Sequence, residues 1–419
     1  MTGPRPACIW AKRREDRKIL VEMAEYSPPG KDKGAGKKRS NKSGKVADFR
    51  YKRSSQPKSK RRNSAGPQGS RVPGKNGGKP AGKPGPRQAY AALDLGTNNC
   101  RLLIARPSGE NFTVIDAFSR VVKLGEDLAT TGKLSDAAMD RTLGALKVCS
   151  DKLRRRNVHL ARSVATEACR RASNGAEFIE RVRQETGIML DIISAEEEAR
   201  LAVLGCHILL EHGDSPAIIF DIGGGSTELV LLEQGGETVP RILDWLSVPW
   251  GVVSLTDTVQ RKGSSDEERH ARYTEMRRVV LESLQPFATR ISDASKADGI
   301  RLLGTSGTVT TLASLHLELP HYDRKAVDGL IVPSKAMRDI SERLSHMSRN
   351  ERGNLPCIGQ DRSELVVAGC AILESILDIW PAEKLGVADR GIREGILRSL
   401  MAIPGVPDHG RDKQERTSA

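Results

Sequence analysis

Short apolar runs separated by small polar residues recur along the chain from about residue 90 onward. The runs at 90–93 and 102–105 flank a Gly-Thr-Asn-Asn turn, and those at 218–220 and 229–232 flank Gly-Gly-Gly-Ser-Thr. Apolar runs of this length, bounded by turn residues, are typical of β-strands. The pattern therefore predicts two β-hairpins, each with glycine at its turn.

The two hairpins are copies of one motif. An acid, a glycine and a charged residue recur at a constant spacing of 127 residues: Asp94, Gly96 and Arg101 match Asp221, Gly223 and Glu228. Small turn residues let backbone N–H groups and hydroxyls approach phosphate oxygens, and a metal–phosphate site needs a carboxylate beside such a loop. A single copy would be an ordinary turn. The duplication instead predicts a phosphate clamp between two related domains.

Periodicity predicts the elements between and after the hairpins. Ser135 caps a predicted helix that extends to about Arg155, and a turn at Thr166 leads into a helix through Asn174 to Thr186. Residues 188–193 form a predicted strand, residues 301–312 a strand, glycine turn and helix, and residues 365–377 an apolar helix. The helix start at Gly307 and Thr308 is either a phosphate-facing loop or simple helix capping.

Three glutamates begin the helix after the predicted strand at 188–193. Ser194 and Glu197 have the spacing of a capping box, and Glu196 and Glu197 fall in the first turn, where carboxylates oppose the helix dipole. Capping does not explain Glu198.

The two hairpins, ATEACRRASN at 165–174, SAEEEARL at 194–201 and DRGIREG at 389–395 together resemble the Ppx/GppA family of exopolyphosphatases and guanosine pentaphosphate phosphohydrolases. The resemblance spans about residues 90–403. It implies an α/β fold of two ribonuclease H-like domains flanking a cleft, as in acetate and sugar kinases, heat-shock chaperones and actin. We expect these domains at 89–214 and 215–405.

The resemblance also implies roles for individual residues. Glu198 is expected to be the general base that activates water, with Asp221 and Glu228 holding Mg²⁺ or another divalent cation. The expected phosphate-binding residues come from both hairpins and two further segments: Gly96, Thr97, Asn98, Asn99, Arg101, Arg170, Gly223, Gly224, Gly225, Ser226, Thr227, Gly307 and Thr308. The family usually has Arg-Ala-Asp where this chain has Asp361, Arg362, Ser363 and Glu364, so the role of that segment stays open.

The implied activity is release of terminal phosphate from polyphosphate, from guanosine pentaphosphate, or from both. A non-hydrolytic polyphosphate or alarmone sensor and a kinase of the same fold remain alternatives. The presence of Glu198 favours hydrolysis over sensing, and no segment between the hairpins resembles the acceptor-binding inserts of the kinases. We also expect a homodimer.

Charge is distributed unevenly along the chain. Residues 1–88 hold 25 Lys and Arg against 6 Asp and Glu, a net +19, whereas the whole chain carries +14 and the remainder therefore −5. Residues 1–88 are predicted to be a disordered tail, since the segment 28–88 is rich in Lys, Arg, Gly, Pro and Ser, and residues 406–419 are predicted to be disordered as well. This basic tail is either a passive solubilising extension or an arm that binds polyanions, including nucleic acid, without sequence specificity.

The remaining composition indicates the compartment. Neither a secretory signal nor a membrane-spanning run is evident, because residues 1–20 contain six Lys or Arg and no long apolar stretch. The seven cysteines show no C-x-x-C pairing or metal-finger spacing, so we expect reduced thiols. A cytoplasmic protein is the expectation.

Overall fold

A computed structural model describes residues 88–402 except 110, 212, 214, 234–239, 261–262, 264 and 296–299. The tails expected to be disordered, 1–88 and 406–419, lie outside the described residues apart from residue 88. None of the helices described is both long enough and apolar enough to cross a membrane.

The first half is built on a five-stranded sheet. Its strands are β1 (Ala89–Leu95), β2 (Asn99–Ser108), β3 (Asn111–Val121), β4 (Val158–Ala165) and β5 (Leu190–Ile192). They lie in the order β3-β2-β1-β4-β5, with β1 antiparallel to β2 and parallel to β4. The helices of this half are α1 (Leu128–Thr131), α2 (Asp136–Arg155), α3 (Glu167–Arg171) and α4 (Gly175–Thr186).

The second half repeats this plan with one extra strand. Its strands are β6 (Ala217–Ile222), β7 (Thr227–Leu232), β8 (Ile242–Val248), β9 (Arg301–Thr305), β10 (Ile331–Pro333) and β11 (Lys384–Ala388). The order β10-β11-β9-β6-β7-β8 contains the same arrangement as the first sheet, because β8, β7, β6, β9 and β11 take the places of β3, β2, β1, β4 and β5. The predicted pair of related α/β domains is confirmed.

The helices of the second half surround its sheet. After α5 (Ala195–Cys206), which links the two sheets, come α6 (Val252–Thr258), α7 (Asp266–Arg290), α8 (Ser292–Ser295) and α9 (Gly307–His316). Then follow α10 (Arg324–Val327), α11 (Ser334–His346), α12 (Arg349–Asn354), α13 (Leu365–Ile379) and α14 (Ile392–Met401). The largest apolar core of the described residues packs α7, α11 and α13 against one face of this second sheet.

The sequence repeat is also a repeat of hairpin geometry. Asp94 lies directly opposite Arg101 in the first hairpin, and Asp221 lies opposite Glu228 in the second. Each turn closes with the same backbone hydrogen bond: the glycine N–H donates to the carbonyl three residues later, over 3.0 Å at Gly96 and 2.9 Å at Gly223. The 127-residue spacing thus reflects two equivalent hairpins.

The last described helix returns to the first half. Ile396, Leu397 and Leu400 of α14 pack in one core with residues of β1 and β2. The same helix also packs closely against α5. A Cβ added at Gly395 would lie 2.0 Å from the carbonyl oxygen of Leu201 on α5, so only glycine allows this approach. Helices α5 and α14 therefore join the two halves behind the cleft. The domain boundary at 214/215 stays a prediction.

The structure confirms two predicted helix N-caps but divides one predicted helix into two. The Ser135 and Ser194 hydroxyls accept from the N–H groups three residues later, as expected of N-caps. Only this half of the capping box expected at Ser194 forms, because the Glu197 carboxylate binds Arg162 and Arg200 instead.

The helix predicted through Asn174 is instead divided into α3 and α4, because the backbone becomes extended at Ala172 (φ −70°, ψ 133°). The Asn174 side chain then both donates to and accepts from the backbone of Leu134. The strand predicted at 188–193 is shorter, Leu190–Ile192.

Candidate active site

One cleft between the halves gathers most of the residues that the sequence singled out. Its walls come from both hairpins, from α3, α5 and α9, and from the segment before α13. The predicted site residues that line it are Gly96, Thr97, Asn98, Asn99, Arg101, Glu198, Asp221, Gly223, Gly224, Gly225, Ser226, Glu228, Gly307 and Thr308. Arg170 and Thr227 are not among the lining residues.

The two glycine turns contact each other at the floor of this cleft. A Cβ added at Gly224 would lie 2.9 Å from Thr97 Cβ and 3.2 Å from the Asn98 backbone nitrogen, and one at Gly225 would lie 2.6 Å from Thr97 Oγ1. Glycine is therefore required for the close approach of the hairpins. Thr97 Oγ1 and Asn98 Oδ1 are buried and lack a hydrogen-bond partner among the described residues, so both can bind a ligand's polar atoms.

Glu198 is a buried carboxylate in the first half of α5. Its side chain is 9% exposed, and Oε2 accepts a hydrogen bond of 3.1 Å from Arg170 Nη1. Burial, reinforced by the nearby Glu228 carboxylate, raises the pKa of Glu198 well above its usual value, and the Arg170 guanidinium opposes that shift. An ionised carboxylate whose pKa is raised is a stronger base than an ordinary carboxylate, and one that faces a cleft can act on a bound ligand.

Arg170 lies behind Glu198. Its Nη1 also donates to the Ile193 carbonyl over 2.8 Å, and Nη2 donates to Glu167 Oε2 over 2.9 Å. The guanidinium predicted to bind phosphate is thus engaged by protein acceptors in this structure. Its role as a phosphate ligand stays a prediction. Thr227 also points elsewhere, since its hydroxyl donates to the Trp250 carbonyl over 2.6 Å.

Asp221 and Glu228 face each other across the second hairpin. Glu228 is 2% exposed and its Oε1 accepts from Ser226 Oγ over 2.6 Å and from Ser247 Oγ over 3.0 Å. Burial raises the pKa of Glu228 to about 7 against these hydroxyl hydrogen bonds. Burial also raises the pKa of Asp221 to about 6; Arg101 opposes this shift and Asp94 adds to it.

These carboxylates suit a hard divalent cation. Within the described part of the chain, no three His, Cys, Asp or Glu side chains form a ready-made metal cluster. Mg²⁺ does not require one, because it is usually held by one or two carboxylates together with waters and substrate phosphates. Buried carboxylates whose charged forms are disfavoured would gain stabilisation from such a cation. The donor set of Asp221 and Glu228 therefore fits Mg²⁺.

Two arginines line the cleft together with these carboxylates, Arg101 and Arg362. Burial, reinforced by the positive charge of Arg101, lowers the pKa of Arg362. The neighbouring Glu364 instead binds Arg272 on α7 over 2.6 Å. The structure thereby separates two residues whose roles the sequence left open. Arg362 belongs to the cleft wall, and Glu364 anchors the segment.

The loop carrying Arg362 is held by a buried arginine. Arg352, on α12, is 4% exposed and donates to the carbonyl oxygens of Ser363 over 2.6 Å, of Leu344 over 3.1 Å, and of Met347.

Two further residues line the cleft that the sequence did not assign to the site, Asp94 and Glu167. The signal for Asp94 was its match to Asp221 in the repeat; Glu167 carried none beyond its place beside Thr166.

The raised pKa of Glu228 implies that the stability difference between the wild type and a variant without this carboxylate depends on pH. Its pKa of about 7 in the folded protein exceeds the value of 4.5 expected on unfolding, so its stabilising contribution is complete below pH 4.5 and is lost as the pH rises through 7. Glu228→Gln cannot ionise. It should therefore gain up to ~3 kcal/mol over the wild type between pH 4.5 and pH 8.

Urea unfolding in EDTA at several pH values measures this difference. Glu196→Gln is the matched control, since Glu196 is exposed on α5 and should show no comparable gain. A Glu228→Gln advantage that stays constant from pH 4.5 to pH 8 would contradict the raised pKa.

Comparison with known proteins places this cleft in context. Residues 103–403 match the model of the Ppx/GppA phosphatase family. Exopolyphosphatase 2 of Mycobacterium tuberculosis is 31% identical over 324 residues, covering 74% of this chain and 98% of that protein.

Two solved structures show the same fold. An exopolyphosphatase from Cytophaga hutchinsonii aligns with a TM-score of 0.65 and 25% identity, covering 75% of this chain and 98% of the other. The Aquifex aeolicus member of the Ppx/GppA family aligns with a TM-score of 0.60 and 28% identity, covering 75% and 98%. Both similarities extend over nearly the full length of the related chain.

Proposed function

The chain belongs to the Ppx/GppA phosphatase family, and from that premise we propose that it is a phosphoanhydride hydrolase that releases terminal orthophosphate from inorganic polyphosphate. The observation that carries the proposal is the placement of Glu198. It is a buried carboxylate with a raised pKa that lines the same cleft as two glycine hairpins. A proton acceptor beside a phosphate-binding surface is what hydrolysis by water needs.

In the proposed reaction, Glu198 accepts a proton from a water molecule as the oxygen of that water bonds to the terminal phosphorus. The bond from that phosphorus to the bridging oxygen breaks, and the shortened chain leaves as a phosphate anion. Glu198 then returns its proton to solvent or product. The hairpin N–H groups and Arg101 neutralise charge on the phosphates, which is most of what phosphoryl transfer requires of a protein.

Mg²⁺, when bound, supplies charge neutralisation on the phosphate oxygens. Asp221 and Glu228 are the side chains that we propose to hold it, since both line the cleft and both have raised pKa values. Gly307 and Thr308 begin α9 at the cleft, where their backbone N–H groups can donate hydrogen bonds to phosphate oxygens. The Ser226 hydroxyl donates to Glu228, so we propose that Ser226 contributes through its backbone.

Guanosine pentaphosphate has the same terminal phosphoanhydride and is the second candidate substrate. The names of the related exopolyphosphatases favour polyphosphate. Orthophosphate release from both substrates by one purified sample tests the choice. Tight binding without phosphate release would favour a regulator, and phosphate transfer to a small acceptor would favour a kinase.

We further propose a cytoplasmic homodimer. The cysteines in the described part of the chain are all free thiols, as in a reducing compartment. Light scattering of the purified chain measures the oligomeric state.

The basic tail gives a prediction that separates attachment from chemistry. Deletion of residues 1–88 should leave turnover of guanosine pentaphosphate or short polyphosphate within about two-fold, because the described residues contain every proposed site group. Binding to long polyphosphate should weaken, since the tail's net charge of +19 attracts polyanions through counterion release.

The salt dependence of binding identifies the tail's contribution. The full chain should give the steeper slope of log affinity against log salt. Equal slopes with and without the tail would mean that it is a passive extension.

A further inference from the structure

Glu167 is a carboxylate of the cleft wall that has no part in the mechanism above. It is the first residue of α3, its side chain is 15% exposed, and it lines the cleft. Its stem lies against the second hairpin, because a Cβ added at Gly225 would be 2.7 Å from Glu167 Cγ. Its carboxylate accepts a hydrogen bond from Arg170.

Arg170 connects this carboxylate to the proposed general base. Nη2 donates to Glu167 Oε2 over 2.9 Å, and Nη1 donates both to the Ile193 carbonyl over 2.8 Å and to Glu198 Oε2 over 3.1 Å. A guanidinium is planar and rigid, so two fixed acceptors determine the orientation of the whole group. Ile193 and Glu167 therefore determine where Arg170 presents its N–H to Glu198.

We propose that Glu167 is a positioning residue for the hydrolytic step. Through Arg170 it holds Oε2 of Glu198, which leaves the other carboxylate oxygen to accept the proton from water. The inference rests on the proposed hydrolysis. Because a reacting group displaced by about 1 Å can cost about 10²-fold in rate, loss of this support should lower turnover rather than substrate binding.

A different role would have the opposite effect. Arg170 was expected to bind substrate phosphate, and Glu167 could instead occupy the guanidinium and keep it from phosphate. Removing Glu167 would then free Arg170, lower KM and raise kcat/KM. The two roles are distinguished by the direction of the change.

Two substitutions separate hydrogen bonding from packing. Glu167→Gln keeps both the stem against Gly225 and an acceptor oxygen for Arg170, whereas Glu167→Met keeps the stem and loses the acceptor. We expect Glu167→Met to lower kcat for phosphate release from polyphosphate about 10- to 100-fold with KM within about two-fold. Glu167→Gln should retain most of kcat. Glu177→Ala, which removes an exposed first-turn glutamate of α4, is the control and should match the wild type.

Three results would overturn the proposal: an unchanged kcat in Glu167→Met, equal losses in Glu167→Met and Glu167→Gln, or a lower KM with a higher kcat/KM. Wild-type protein that releases no phosphate would contradict the hydrolase function itself. In that case crystal structures of the wild type and Glu167→Met still decide the positioning. Glu198 Oε2 should leave Arg170 in the variant, and an unchanged distance near 3.1 Å would refute the link.

Discussion

Glu198→Gln should release phosphate about 10²- to 10⁴-fold more slowly than the wild type, because an amide cannot accept the proton of the attacking water. The amide has the same shape and can still accept the Arg170 hydrogen bond, so the fold should persist. Steady-state phosphate release from polyphosphate measures the loss. Binding of polyphosphate should change little.

Glu196→Gln is the matched control for this variant. Glu196 is exposed on the same helix, two residues earlier, and its change should leave turnover unaltered. If Glu198→Gln keeps near wild-type turnover, Glu198 is not the base, and Asp221, with a pKa of about 6, becomes the better candidate.

Gly224→Val should weaken polyphosphate binding by about 10- to 100-fold. The added Cβ would come within 2.9 Å of Thr97 Cβ and 3.2 Å of the Asn98 nitrogen, so the two hairpins would have to separate. Overpacking of this kind costs about 1–3 kcal/mol. Because phosphate is proposed to bind where the hairpins meet, that cost should appear in the affinity as well as in the stability.

Equilibrium binding of a non-hydrolysed polyphosphate analogue measures this effect. Gly144→Val is the control, since a Cβ at Gly144 on α2 meets nothing within 4 Å. If Gly224→Val binds as tightly as the wild type, the contact between the hairpins is not part of the phosphate site.

The hairpins were predictable because their signals are local. A glycine turn between two apolar runs determines each hairpin, and the matching register of Asp94 with Arg101 and of Asp221 with Glu228 follows from equal turn lengths. Helix caps at Ser135 and Ser194 were also evident, since capping depends on residues three positions apart.

The remaining contacts depend on residues far apart in the sequence. Glu197 was explained as a helix-terminal charge, yet its carboxylate binds Arg162, which lies 35 positions earlier. Arg170 meets Glu198 across 28 positions, and Glu364 meets Arg272 across 92. No local pattern encodes such pairs. That Arg362 lines the cleft whereas Glu364 binds Arg272 is therefore evident only from the fold.

The return of α14 to the first half has the same origin. Its apolar positions predict a buried face but not the sheet that buries it. Glycine at 395 is required by the backbone of α5, which lies far earlier in the chain. The motif at 389–395 was recognisable in the sequence, whereas its contact with α5 was not.

Product analysis of long-chain polyphosphate incubated with the full-length protein and Mg²⁺ is the most direct test of terminal hydrolysis. Orthophosphate should be the product, with chains shortened from their ends, and this release should be lost in Glu198→Gln. Binding without any orthophosphate, or cleavage of chains at internal positions, would contradict terminal hydrolysis.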